Sequence, residues 1–203
     1  MSRDKKYIYR RAGEIHAANI NQGFLATLGS GFLALLYQAI DEAPDSTLIV
    51  AQENDDVVGF VAGGTGMGAI YRQLLRRPLA LLVALLPALL NPARLWRIIE
   101  ILRYSGGDND GLANMPCAEL LSIAVDPQFR GKGHAEQLYL QLVEYFTGRG
   151  EKAFRIVVGE VLLPAHKFYR RMGAVPVAEM EVHKGASSTI YVHELSGSRP
   201  GGK

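Results

Sequence analysis

Residues 119–135 read ELLSIAVDPQFRGKGHA and join an apolar run to a glycine-rich loop and a helix start. Leu120–Val125 is almost unbroken in its apolar character, which is typical of a β-strand covered on both faces of its sheet. After the loop, apolar residues recur on one helical face at Ala135, Leu138, Leu142 and Phe146. A second apolar run, Ala153–Val158, follows. Strand, helix and strand in this order predict two parallel strands joined by a right-handed crossover.

The loop between the first strand and the helix has the character of an anion site. Gly131 and Gly133 leave backbone N–H groups uncovered beside a helix N-terminus, where the helix dipole favours a phosphate. The alternative interpretation is a simple strand-to-helix turn. A dinucleotide fingerprint is excluded because Glu136 occupies its third glycine position, and a P-loop because Asp126 stands where its first glycine belongs.

Two motifs in this half of the chain resemble signatures of one family. Arg130, Gly133 and Ala135 match the pattern Gln/Arg-x-x-Gly-x-Gly/Ala, and residues 164–174 read PAHKFYRRMGA, an Ala…Phe-Tyr…Gly helix. Both are similar to the GNAT superfamily of acyl-CoA-dependent N-acetyltransferases. The resemblance covers about residues 117–183 well and the preceding strands less specifically. It implies an α/β fold with a mixed, mostly antiparallel sheet and a splayed, parallel central strand pair flanked by helices.

The resemblance also implies a cosubstrate, acetyl-CoA, and the residues that hold it. Amides of residues 131–136 would bind the pyrophosphate, and the backbone of residues 123–125 would pair with the pantetheine arm as an added strand. Neither a metal nor a covalent enzyme intermediate is then expected. The implied acetyl-CoA site comprises Ile123, Ala124, Val125, Arg130, Gly131, Lys132, Gly133, His134, Ala135, Glu136, Phe168 and Tyr169.

Two residues are the candidate catalysts. Tyr169 matches the general acid of the family, which protonates the departing thiolate, although its helical spacing also suits the edge of a core stripe. Glu119 lies eleven residues before Arg130, where some family members carry a catalytic glutamate, although an exposed strand-end carboxylate is the alternative. Glu160 and His166 are weaker candidates for the base. Leu162 departs from the family pattern, since many relatives have Asn there.

The remaining elements are predicted from periodicity and turn signals. We expect one domain over residues 1–195 and a disordered tail over residues 196–203. The predicted elements are a short strand Tyr7–Arg11, a helix containing Phe32 and Ile40, a hairpin of Ser46–Gln52 and Val57–Ala62, a helix Pro164–Met172, and strands Val175–His183 and Ser188–Leu195.

A helical insertion is expected over residues 66–114, between the third and fourth predicted strands. Between its glycine-rich ends it carries six arginines and one glutamate, so it holds a charge of +5 while the rest of the chain is at −3. Its apolar run 79–90 is far short of the roughly 20 residues that a membrane span needs. The role of the insertion is left open. It could be a lid over the acceptor, an oligomer interface, a peripheral membrane contact or a self-packed helical hairpin.

Composition excludes several classes of protein. The chain has 203 residues, of which 48% are hydrophobic and 21% charged, which excludes disordered and collagen-like chains. A net charge of +2 gives no indication of nucleic-acid binding. The single Cys117 is expected in the core, no secretory signal is evident, and the cytoplasm is the expected compartment.

The sequence therefore predicts an N-acetyltransferase that moves acetyl from acetyl-CoA directly to a primary amine of a small molecule or a sugar nucleotide. The alternatives are a non-catalytic acyl-CoA sensor or assembly module, a protein N-acetyltransferase, and a membrane-surface protein. The oligomeric state, with a homodimer as one option, is left open.

Overall fold

The computed structural model describes residues 3–20, 28–89, 115–183 and 186–195. The helices of these residues are α1 (Arg3–Asn19), α2 (Ser30–Glu42), α3 (Met67–Leu75), α4 (Pro78–Leu89), α5 (His134–Gly148) and α6 (Leu163–Arg171). The strands are β1 (Ser46–Glu53), β2 (Asp56–Gly64), β3 (Glu119–Val125), β4 (Ala153–Gly159), β5 (Val175–His183) and β6 (Ala186–Glu194).

The six strands form one mixed sheet in the order β1-β2-β3-β4-β6-β5. Every neighbouring pair is antiparallel except β3 and β4, which are parallel. The α/β fold, the β1–β2 hairpin and the parallel central pair are therefore confirmed. Strand β6 returns between β4 and β5, so the last two strands pair with each other while only β6 joins the rest of the sheet.

A hydrophobic core lies on each face of the sheet. Helices α1 to α4 pack on one face, where Leu33, Phe60 and Ile70 are fully buried. Helices α5 and α6 pack on the other, around Leu142 and Phe154. Residues of β3 contribute to both cores, which confirms that this strand is covered on both faces.

The predicted first strand, Tyr7–Arg11, is wrong because these residues lie inside α1. The buried positions of α1 are Tyr9, Ala12, Gly13, Ile15 and His16, whose spacing follows the 3.6-residue turn of a helix rather than the alternation of a strand. The short run Tyr7-Ile8-Tyr9 favours a strand when it is considered alone. The helical spacing becomes visible only when the residues that follow are included.

That correction also renumbers the insertion, which follows the second strand and not the third. Its first part forms α3 and α4, and Leu79, Leu82, Val83 and Leu86 of α4 are exposed. The rest of the predicted insertion, residues 90–114, lies outside the described residues. So does the predicted tail, residues 196–203. Among the described residues, no helix is long and apolar enough to cross a membrane. Cys117, expected in the core, is exposed because it precedes β3 in a loop.

Candidate active site

The central parallel strands separate soon after they begin. Their ladder consists of Glu119 opposite Arg155 and Leu120 opposite Ile156. From Ser122 to Val125, β3 is paired along its β2 edge but not along its β4 edge. A cleft therefore opens between β3 and β4, and main-chain groups of β3 are left without a strand partner along it.

A β-bulge in β3 lies where the cleft begins. The register with β2 passes from Ser122 opposite Ala62 to Leu120 opposite Gly63, so Leu121 is the extra residue. A bulge bends its strand and reverses which face the following side chains point to. Here it accompanies the end of β3–β4 pairing and turns Ser122 towards α2, where its hydroxyl lies 3.0 Å from Tyr37 Oη.

One cavity of about 940 Å³ occupies the cleft. This is within the range of small-molecule sites, roughly 300–1,000 Å³. Its lining includes the splayed strands, the glycine loop and α6, and also His16, Asn19 and Tyr71 from the helices of the opposite face. Because residues from both faces line it, the cavity passes through the sheet between β3 and β4.

Most of the residues implied to bind acetyl-CoA meet at this cavity. The lining contains residues 123–125 of β3, Arg130, Gly131 and residues 133–136 of the loop and α5, and Phe168 and Tyr169 of α6. Lys132 is the member of the set that does not line it. Leu162, which departs from the family pattern, also faces the cavity.

The glycines of the loop are required by conformation. Gly131 and Gly133 have φ values of +77° and +85°, which side chains rarely allow, and a Cβ at either position would meet no atom within 4 Å. Gly133 precedes α5 and offers no side-chain cap, so the first amides of this helix are not satisfied by capping. These features fit an anionic group, because uncapped N–H groups at a helix start bind phosphates.

The side chains of the loop are held by the protein itself. Lys132 Nζ donates to Glu53 Oε2 at 2.9 Å, and His134 Nε2 lies 2.7 Å from Glu53 Oε1. Hydrogen bonds from Lys132 and His134 hold the pKa of Glu53 below its usual value. Arg130 donates from Nη2 to Asn19 Oδ1 at 2.6 Å and from Nε to the carbonyl of Val125 at 3.2 Å. These contacts hold the loop against β1, β3 and α1. The backbone N–H groups of the loop are the groups that remain available to bind a ligand.

An ion pair joins α5 and α6 at the same cavity. Arg171, at the end of α6, donates to Glu136 in the first turn of α5, and both residues line the cavity. The Arg171 guanidinium also lies 5.6 Å from the centre of the Phe168 ring. A second cation besides Arg130 therefore lies near the glycine loop.

Tyr169 is buried among aromatic rings and lines the cavity. Its neighbours are Tyr139, Phe168 and Tyr191, with ring centres 5.3 to 6.3 Å away. Burial raises the pKa of the Tyr169 hydroxyl, so the phenol retains its proton at neutral pH. A protonated phenol beside the cleft can donate a proton to a leaving group.

The candidate bases from the sequence are not found in the cavity lining. Glu119 accepts from Arg155 Nε at 2.9 Å and from Nη2 at 2.8 Å, where the two strands are still paired. His166 Nδ1 lies 2.8 Å from Tyr191 Oη and its Nε2 lies 3.2 Å from the carbonyl of Gly159. Glu119, Glu160 and His166 are all absent from the residues that line the cavity. The role of Glu119 stays a prediction.

Sequence reasoning missed the lining that comes from α1. His16 has 5% of its surface exposed and its Nδ1 lies 2.5 Å from Tyr37 Oη, while its ring stacks on Phe60. Burial lowers the pKa of His16 to about 4. Asn19 and Ile20 follow it at the end of the helix and also line the cavity. The sequence signal that could have found these residues is the helical spacing of the apolar positions in α1. The prediction of a strand at Tyr7–Arg11 left that spacing unused.

Comparison with protein families identifies the fold. The model of the acetyltransferase (GNAT) family matches residues 19–174, a range that contains β1 to β4, the glycine loop and α6. The chain belongs to the GNAT acetyltransferase family. Acetyl-CoA is the cosubstrate of GNAT enzymes, and the unpaired β3 edge, the uncapped loop and the through-sheet cavity fit such a molecule.

Among curated proteins, the chain is similar to an uncharacterized N-acetyltransferase of Methanocaldococcus jannaschii, with 40% identity over 68 residues. The match spans 34% of this chain and 29% of that protein's length. The match supports the assignment of this segment to the GNAT family. Most of that relative's length lies outside the match.

Solved structures share the GNAT fold at low sequence identity. An aminoglycoside 6'-N-acetyltransferase complexed with coenzyme A aligns with a TM-score of 0.61 and 11% identity, covering 99% of this chain and 97% of its own. A GNAT-family acetyltransferase from Desulfovibrio desulfuricans aligns at 0.56 and 15%, covering 91% and 92%. A streptothricin acetyltransferase from Bacillus anthracis, in complex with acetyl coenzyme A, aligns at 0.50 and 14%, covering 78% and 67%.

Proposed function

We propose that the chain is an N-acetyltransferase that moves acetyl from acetyl-CoA directly to a primary amine of a small molecule or a sugar nucleotide. The observation that carries the proposal is the single cavity that connects the uncapped amides of α5 with the unpaired edge of β3 and the far face of the sheet.

Each part of acetyl-CoA has a proposed place in this cavity. The amides of residues 131–136 hold the pyrophosphate, because helix N-termini bind anions. The edge of β3 from Ile123 to Val125 pairs with the amide groups of the pantetheine arm in the manner of an added strand. Arg130 and Arg171 supply positive charge beside the phosphates. The thioester then lies deep in the cleft, near Tyr169.

The chemistry follows from groups that line the cleft. The amine attacks the thioester carbonyl, a C–N bond forms, and main-chain N–H groups stabilise the oxyanion. The C–S bond then breaks and the Tyr169 phenol gives its proton to the thiolate. Since acetyl passes directly to the amine, no nucleophile of the protein takes part. The amine enters from the face of α1 and α3, because α5 and α6 cover the opposite face.

Binding of acetyl-CoA is the first test. We expect saturable binding in calorimetric titration of the full chain, and a loss of affinity of about tenfold in Gly133→Ala, since a side chain at φ +85° costs about 1–2 kcal/mol and displaces the loop. Gly150→Ala is the matched control. Gly150 has φ +77° and open space around it but lies at the far end of α5, outside the cavity. It should lose stability and keep its affinity.

Turnover is the second test. Release of free thiol is measured with acetyl-CoA and a panel of amino sugars, sugar nucleotides bearing an amino group, simple primary amines and peptides. We expect release with at least one small amine. Absence of acetyl-CoA binding at millimolar concentration contradicts the proposal, and acetylation of peptides alone identifies a protein acetyltransferase.

A further inference from the structure

We propose that His16 of α1 is the general base that accepts the proton of the attacking amine, with Tyr37 and Ser122 fixing its imidazole. This inference rests on the proposed function and names a group for the proton that the amine must lose. The observation behind it is a hydrogen-bonded chain that runs from the cavity wall into the core between α1, α2 and β3.

Two contacts fix the position of His16, and a third holds its partner Tyr37. Its Nδ1 lies 2.5 Å from Tyr37 Oη, which lies 3.0 Å from Ser122 Oγ. Its ring stacks on Phe60, at 6.4 Å between centres and 8° between planes. Tyr37 is itself fully buried. The imidazole is therefore held on one edge and one face, and Nε2 is the ring nitrogen left for a ligand in the cavity that His16 lines.

His16 is on the face from which the amine enters. The cavity lining on that face comes from α1, α3 and β3, and includes His16, Asn19, Tyr71 and Ser122. The other imidazole and carboxylate groups of the described lining are His134 and Glu136, which lie at the start of α5 and are engaged by Glu53 and Arg171. Among the described residues, His16 alone offers an imidazole or carboxylate on the amine side of the cavity.

His16 is in the neutral form, which is the form that can accept a proton. Burial lowers its pKa to about 4, so the ring is neutral at pH 7. When Nδ1–H donates to Tyr37 Oη and the Tyr37 hydroxyl donates to Ser122 Oγ, the lone pair of the imidazole is on Nε2 and can accept a proton. The attacking nitrogen becomes a much stronger acid once its lone pair forms the C–N bond, so a weak base is sufficient to remove its proton at that stage.

The proton balance of the reaction then closes. The nitrogen bonds to the thioester carbon, its surplus proton passes to His16 Nε2, and the C–S bond breaks as Tyr169 protonates sulfur. His16 ends with one proton more and Tyr169 with one fewer, and exchange with water restores both. Tyr37 acts as a positioning residue, since it touches His16 and does not line the cavity.

The test compares His16→Gln with the wild-type chain. Thiol release is measured with the best amine of the panel, or with water as the nucleophile, which must also lose a proton. We expect a fall in kcat of about 100-fold, the size of a lost general base, with acetyl-CoA affinity unchanged within twofold. Tyr37→Phe should give a smaller fall, about tenfold, because the base remains and only its orientation is lost.

His193→Gln is the matched control, because His193 is a partly buried imidazole that lies in the opposite core, outside the cavity lining. Its kcat should equal that of the wild type. A second measurement separates chemistry from packing. His16→Ala leaves a space of the size of the ring, and added imidazole should restore turnover, while pyrazole, a ring of the same shape and a far weaker base, should not.

Each outcome decides between the proposals. Equal kcat for His16→Gln and wild type, or equal rescue by imidazole and pyrazole, overturns the role of His16 and leaves the acetyltransferase proposal standing. A wild-type chain that does not bind acetyl-CoA, or binds it and releases no thiol, overturns both. If His16→Ala does not fold, the rate of His16→Gln decides alone.

Discussion

The hydroxyl of Tyr169 is the clearest residue-scale link between structure and chemistry. It lies in a cluster of aromatic rings with Tyr139 and Tyr191, and burial raises its pKa. A phenol held in its protonated form is a proton donor, and its place beside the cavity gives that proton a destination in the proposed reaction.

Tyr169→Phe should lower kcat about 100-fold or more, because it removes the proposed acid while preserving the ring contacts. Acetyl-CoA affinity should stay unchanged. Calorimetric titration and the thiol-release rate measure the two quantities. Tyr139→Phe is the matched control, since Tyr139 belongs to the same cluster, does not line the cavity, and has a buried hydroxyl without a hydrogen-bond partner among the described residues. Equal rates for Tyr169→Phe and wild type would remove Tyr169 as the acid.

The side chains of the glycine loop mark the limit of prediction at this scale. Periodicity and the glycine spacing predicted the loop and its backbone, and both glycines have the positive φ that only glycine adopts readily. The sequence implied a ligand contact for Lys132 and His134. In the structure both side chains bind Glu53, 79 and 81 residues away, and no local pattern reports a partner at that distance.

At the scale of elements, α1 and α2 cross at very close range. A Cβ at Gly13 would lie 2.8 Å from the carbonyl oxygen of Ser30 and 2.9 Å from the amide nitrogen of Ala34. Both atoms are backbone, so neither can move aside without shifting α2. The crossing places the end of α1, with His16, against Tyr37 of α2.

Gly13→Ala should destabilise the protein by about 1–3 kcal/mol, although alanine is the better helix former, because the added methyl group forces the two helices apart. Urea unfolding measures the change. Gly148→Ala is the matched control, since Gly148 lies in α5 with open space around its Cβ position, and should be neutral or stabilise by up to about 1 kcal/mol. A Gly13→Ala protein as stable as the wild type would contradict the close packing.

The elements that were predicted correctly are those with a long or repeated pattern. The parallel strand pair comes from two long apolar runs, and α5 and the helix of the second motif each show several matches to the helical periodicity. The β1–β2 hairpin shows two strand-like runs on either side of a turn signal. The strand predicted at Tyr7–Arg11 rested on three residues, and the buried face of α1 emerges only over two turns. The wrong prediction for α1 also affected the predicted site, because the cavity-lining residues that the prediction missed are on that helix.

At the scale of the whole molecule, two cores share one sheet, and the cavity passes between them. The core on the α1–α2 face holds a buried imidazole, His16, whose pKa is lowered to about 4. The unfolded chain has the ordinary value of about 6.5. The free energy of unfolding therefore depends on pH in the interval between these two values.

The free energy of unfolding should fall as the pH falls from about 6.5 to about 4, because the unfolded chain takes up a proton at His16 that the folded chain does not. At neutral pH and above, this contribution is fully present. Between pH 7 and pH 4.5 the loss attributable to His16 is about 2 kcal/mol, at about 1.4 kcal/mol per pKa unit. Urea unfolding of the wild type and of His16→Gln at both pH values measures it. Equal losses in the two proteins would contradict the buried, neutral imidazole.

The sequence by itself determined the central strand–loop–helix–strand unit, the glycines of the loop and the aromatic helix that follows. These features are local, since they depend on side-chain periodicity and on backbone conformations that few residues adopt. The tertiary structure decided which side chains meet at the cavity. It pairs Glu119 with Arg155, 36 residues away, and joins Tyr37 to Ser122, 85 residues away. Periodicity fixes which face of an element is buried, but the partner of each polar atom depends on how the elements cross.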